Sequence, residues 1–137
     1  MTDSAEASTT NLTGVWHGLY TYAHRSESVS FVATLIENGS SLSGATHEPC
    51  VGGDCPSDTL YATLLGTRQD SAVAFVKTYE AAGPHYHDPI AYEGILSADG
   101  TEIEGLWNIR RVWFGKFLMI RSSGHAATIS RQVSERV

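Results

Sequence analysis

Lys77 closes the alternating run Ala72-Val-Ala-Phe-Val-Lys77, in phase with Val73, Phe75 and Tyr79. A strand that buries those side chains also buries the ammonium. Such a group is costly unless it is paired or meets an anionic ligand, and burial lowers its pKa toward values useful for proton transfer. Alternation from Trp16 sends Gly18, Tyr20, Tyr22 and His24 to the same side, with His24 arriving last. The candidates for acid-base work are therefore His24, Glu48, Lys77 and Tyr92. Glu48 and His24 are expected at a rim, solvated or paired with each other. The candidates for ligand contact are Tyr20, Tyr22, Phe31, Phe75, Lys77, Tyr79, Tyr92, Trp107 and Phe117. This aromatic wall with a few polar tips suits a planar or apolar molecule, because ring faces give contact area and scattered donors fix orientation.

A second group could hold a metal: His24, His47, Cys50, Cys55, His85, His87 and Asp88. In an extended segment His85 and His87 share a face, and thiolates are soft ligands. Cys-x4-Cys is wider than a zinc-finger pair, however, and no complete zinc pattern is present. No metal and no other cofactor is expected, and His47, Cys50, Cys55, His85 and His87 stay weak candidates. A reducing compartment keeps the two cysteines as thiols, although a bridge across Val-Gly-Gly-Asp is geometrically allowed. No Ser-His-Asp signature, phosphate loop or H-E-x-x-H helix occurs.

The elements that position these groups follow from the whole chain. Its 137 residues are 42% hydrophobic and 18% charged, as in one domain. Nine Lys+Arg against fifteen Asp+Glu give a net charge of -6, a poor match to nucleic acid or an anionic membrane. No apolar run reaches bilayer length, and residues 1–10 lack the apolar stretch of a signal peptide. The expected location is the cytoplasm.

Thirteen glycines and many short β-branched or aromatic runs between turn signals indicate an all-β domain. Eight strands are expected at 12–24, 29–37, 40–48, 59–68, 71–79, 90–98, 101–109 and 115–122. Asn38-Gly39, Gln69-Asp70 and Asp99-Gly100 make tight hairpins between them. Around Asp99-Gly100, Leu96 should face Ile103, Gly94 face Gly105, Tyr92 face Trp107 and Ile90 face Ile109. Around Asn38-Gly39, Leu35 should face Leu42; around Gln69-Asp70, Leu64 should face Phe75 and Gly66 face Val73. Sequential hairpins suggest an eight-stranded antiparallel up-and-down β-barrel, which leaves no exposed edge. The three tight turns then lie at one end, and longer connections form a mouth at the other. The barrel domain spans 11–122. Residues 1–10 are expected as a disordered tail, and 123–137 as a tail or short helix with the stripe Ala126, Ile129, Val133 and Val137.

Gly14-Val15-Trp16 on the first strand and Arg121 at the end of the last resemble the calycin group of lipocalins, fatty-acid-binding proteins and avidins. In those barrels an early G-x-W places a Trp at the floor and a late Arg packs across it. The resemblance implies a structural floor of Trp16 and Arg121 and a lumen that holds a small molecule. The rhythm Gly14-Val-Trp16-His-Gly18, Tyr92-Glu-Gly94 and Gly105-Leu-Trp107 is also similar to a group of small, uncharacterised bacterial proteins, a likeness that implies no function. Gly14-x-Trp16-x-Gly18 resembles nitrobindins too, which hold haem through a His on a late strand. No His occurs between His87 and His125, so haem is not expected.

The functional expectation is a small-molecule binding protein whose lumen takes an aromatic or lipid-like ligand, anionic if it is to meet Lys77. The alternative is a barrel-cavity isomerase or cyclase acting on a small hydrophobic substrate, by analogy with allene oxide cyclases and polyketide cyclases. A third reading is a metal-binding or interaction module using the rim loops. The outward apolar residues Val76, Ile95 and Leu106 offer a homodimer contact.

Overall fold

The computed structural model describes residues 11–24, 27–50, 57–80 and 88–122. Eight strands run β1 (Gly14–Tyr22), β2 (Ser28–Asn38), β3 (Ser41–Pro49), β4 (Thr59–Gln69), β5 (Ala72–Tyr79), β6 (Ile90–Leu96), β7 (Glu102–Ile109) and β8 (Trp113–Arg121). Each pairs antiparallel with its sequence neighbour, and β8 returns to β1, so the sheet is a closed up-and-down barrel. Trp16 pairs with Arg121 and Tyr20 with Phe117 across the closing seam. The expected tails at 1–10 and 123–137 fall outside the described residues. Among the described residues no helix is long and apolar enough to cross a membrane.

The ladder of β6 and β7 has the expected register: Tyr92 faces Trp107, Gly94 faces Gly105 and Leu96 faces Ile103. It ends at Ala91 opposite Asn108, short of the expected Ile90–Ile109 pair. The other two hairpins are displaced by two residues. Leu35 faces Gly44 rather than Leu42, Leu64 faces Lys77 rather than Phe75, and Gly66 faces Phe75 rather than Val73. Turn geometry explains the shift. The positive φ falls on Gly39 (66°) and Asp70 (55°), and Asn38 pairs with Ser41 and Gln69 with Ala72. Each is therefore the first residue of a two-residue connection, not the second. A displacement of two keeps every side chain on its expected face.

The interior is layered from the hairpin end to the mouth. At the floor Trp16 is fully buried, and its indole N–H donates to the Leu12 carbonyl at 2.9 Å. The Arg121 guanidinium lies 4.9 Å from the Trp16 ring centre and donates to the carbonyls of Thr13 and Asn11. Arg68 closes the other side of the floor with an ion pair to Glu37 at 3.1 Å, and Glu37 also accepts the Leu12 N–H. In the middle, Phe75 stacks on Tyr92 at 4.9 Å, and Phe117 meets Tyr92 edge-on at the same distance. Gly18 makes this filling feasible on β1, since a Cβ there would stand 2.1 Å from the Phe31 ring. A second small cluster, Leu19, Leu118 and Ile120, is buried on the outward face of β1 and β8.

Candidate lumen site

Above the aromatic middle, β1 and β3 each send one polar side chain to a common point and β5 sends two, Lys77 and Tyr79. β3 brings Glu48, because Leu42, Gly44, Thr46 and Glu48 alternate inward. β5 brings Lys77 and β1 brings Tyr20 by the same period of two. The Lys77 Nζ lies 2.5 Å from Glu48 Oε1, and the two side chains are 1% and 2% exposed. Tyr20 donates its hydroxyl to Glu48 Oε2 at 2.6 Å, and Tyr79 donates to Oε1 at 3.0 Å. Four rings surround the ammonium: Tyr79 at 4.8 Å, Tyr20 at 5.1 Å, Phe31 at 5.2 Å and Tyr92 at 5.9 Å. One carboxylate thus receives three donors, while π faces take up the rest of the cation's field.

Burial dominates the protonation chemistry. It lowers the Lys77 pKa, and the facing Glu48 carboxylate acts in the opposite direction. Tyr20, Tyr79 and Tyr92 are all raised above the ordinary 10.0, first by burial and then by the Glu48 charge. These phenols stay neutral donors at physiological pH. A raised acid pKa in the folded state adds stability that is fully present below the unfolded value and is lost as pH climbs beyond it. The barrel should therefore lose stability progressively above pH 10. In an alkaline titration followed by tyrosinate absorbance, these three of the six tyrosines should ionise together with the loss of near-ultraviolet circular dichroism. Six independent ionisations in the native protein would contradict this.

Beneath Glu48 on the same strand, Thr46 faces inward between Ala33 and Ala62. Its buried hydroxyl has no hydrogen-bond partner. Buried hydroxyls are almost always paired with protein, water or ligand.

The other candidates separate clearly. Tyr22, Tyr79 and Ile109 are half-buried against the core and mark where the lumen opens. Trp107 lies beside Tyr22 at 5.1 Å and donates its indole N–H to the Thr21 carbonyl. Phe75, Tyr92 and Phe117 form the packed layer under the cluster, so the middle of the lumen is filled rather than open. His24 is exposed, beyond the end of β1, with its ring 6.0 Å from Phe114. It stands apart from the Glu48 cluster, and Glu48 itself is inside rather than at the rim. His47 is exposed on the outer face beside Tyr61. Among the described residues no three His, Cys, Asp or Glu side chains gather as a metal site. Cys55, His85 and His87 lie outside the described residues. Cys50 is disulfide-bonded, which corrects the thiol expected for it, and the sequence has one other cysteine, Cys55.

No family model matches the chain, and no curated protein matches it. A groove of about 560 Å³ runs along β1–β3, lined by His17, Leu19, Val32 and His47 and also by Phe31 and Glu48 of the interior. Phe31 and Glu48 are among the residues expected to act on a ligand, whereas His17, Leu19 and Val32 are not. The inward polar position missed from sequence is Arg68, 6% exposed. Alternation through Leu60, Ala62, Leu64 and Gly66 already pointed Arg68 inward.

Proposed function

We propose that this protein is a calycin-like binding protein that seats a neutral aromatic or lipid-like molecule at the mouth end of the barrel, above the Glu48–Lys77 pair. One observation carries the reading: two opposite charges, almost fully buried, inside a barrel whose closure does not need them. A buried ion pair is often no more stabilising than apolar side chains of the same volume, and perturbed groups in a concave interior concentrate at functional sites. Neutrality follows from charge balance. The Lys77 ammonium is already matched by Glu48, so an anionic ligand would bring an unbalanced buried charge. This narrows the anionic ligand expected from Lys77 alone.

The test is fluorescence titration with N-phenyl-1-naphthylamine, which is neutral, against 1-anilinonaphthalene-8-sulfonate, which is anionic. The neutral probe should bind saturably and about tenfold or more tightly than the anion, a difference of about 1.4 kcal/mol. Failure of the neutral probe to bind, or tighter binding of the anion, would remove the reading.

The isomerase or cyclase alternative draws on the convergence of Tyr20, Tyr79 and Lys77 on one carboxylate, a ready path for moving a proton. Chromatography of a bound hydrophobic ligand after incubation separates the two: a binding protein returns it unchanged. A disulfide at Cys50 persists best in an oxidising compartment, which argues against the cytoplasm expected from the sequence.

A further inference from the structure

The β7–β8 turn and the start of β8, at the mouth, combine cations with exposed aromatic side chains. Residues 110–116 read Arg-Arg-Val-Trp-Phe-Gly-Lys, which places three of the chain's nine basic side chains in seven residues with no acid among them. All but Gly115 are exposed. Val112 is 67%, Trp113 59% and Phe114 50% exposed, whereas Trp16 and Trp107 are buried in the same barrel. Val112 lies in the turn and Trp113 and Phe114 open β8; large apolar side chains exposed together at one end of a barrel are a cost in water.

The backbone adds a second, independent sign. The turn is closed by the Val112 N–H donating to the Ile109 carbonyl at 2.9 Å, and both Arg110 and Arg111 have positive φ, 53° and 61°. That conformation favours Asn-Gly, and side chains as long as arginine are rarely found there. Strain of this kind persists where a side chain is needed for something other than the fold. Arg110 pairs with Asp88 at 3.1 Å, but both groups are exposed, and a pair in water is weak enough to exchange for another anion.

We propose that this tip docks the barrel mouth on an anionic lipid surface. Trp113 and Phe114 would enter the headgroup boundary, where amphipathic aromatic rings are favoured, while Arg110, Arg111 and Lys116 meet lipid phosphates and carboxylates. The net charge of -6 opposes attraction of the body as a whole. At physiological ionic strength, however, charges more than about 8 Å from the surface are largely screened, so the tip's own cations decide the contact. The inference does not depend on a ligand in the lumen.

The experiment is co-sedimentation of the full chain with vesicles of phosphatidylserine and phosphatidylcholine, and with phosphatidylcholine alone. Tryptophan emission is recorded in parallel. Because Trp16 and Trp107 are buried, a blue shift on binding reports Trp113. Binding should require phosphatidylserine and should shift the emission. Arg110→Asn/Arg111→Gly supplies the residues the turn prefers, so it should raise the unfolding temperature while weakening vesicle binding at least tenfold. Trp113→Ser/Phe114→Ser should weaken binding by a similar factor with the fold intact. The proposal is overturned if the wild type ignores both vesicles, if it binds both equally, or if the variants bind as the wild type does. Self-association through the tip in place of vesicle binding would overturn it as well.

Discussion

Replacing Glu48 with leucine should destabilise the barrel by about 3 to 5 kcal/mol, because it leaves a buried ammonium with no counter-charge. The Lys77 Nζ has its hydrogen bond to Glu48 Oε1, and the hydroxyls of Tyr20 and Tyr79 donate to the same carboxylate. One substitution thus removes the acceptor of three donors, two of them buried. A loss of this size is a large part of the roughly 5 to 15 kcal/mol that holds a domain folded. Lys77→Met should cost less, since Glu48 keeps two phenol donors. The double variant Glu48→Leu/Lys77→Met should recover most of the loss, because paired removal eliminates the desolvation penalty of both charges. Urea unfolding of the four proteins gives the coupling directly. Additive single effects would mean that the two charges do not depend on each other.

Trp16→Ala should cost a similar amount, about 3 to 5 kcal/mol, through the cavity it opens at the floor. The indole is fully buried. Its removal leaves the Leu12 carbonyl without its donor and takes away the ring under the Arg121 guanidinium. Trp16→Phe separates these terms: it keeps an aromatic face under Arg121 and loses the indole N–H bond, for which about 1 kcal/mol is expected on top of the smaller volume change. Thermal unfolding should rank wild type above Trp16→Phe and Trp16→Phe well above Trp16→Ala. Equal midpoints for the two variants would show that ring packing at the floor contributes nothing.

Alternation in the sequence was enough to place nearly every inward side chain, because the two faces of a strand differ in polarity wherever one is buried. Lys77, Tyr20 and Trp107 lie where that pattern put them. Strand register was less legible. A displacement of two residues changes no side chain's face, so polarity carries no information about it, and only the φ of Gly39 and Asp70 reveals the turns. Glu48 was expected at the rim because it ends a strand; its burial depends on the facing Lys77 and Tyr79 across the lumen, a contact between strands that are not neighbours. Trp113 and Phe114 passed unnoticed because 110–114 reads as a loop, in which the exposure of an aromatic side chain has no periodic signal.

The proposed ligand site is the lumen beside Lys77, not the stretch of the β1–β3 groove lined by His17 and His47. Nuclear magnetic resonance of the Lys77 side-chain nitrogen and the histidine ring nitrogens, followed during titration with N-phenyl-1-naphthylamine, tests it directly. The lumen site predicts a saturable shift of the Lys77 signal with His17 and His47 unmoved. Shifts of His17 and His47 with a silent Lys77 would place the ligand in that stretch of the groove and contradict the account.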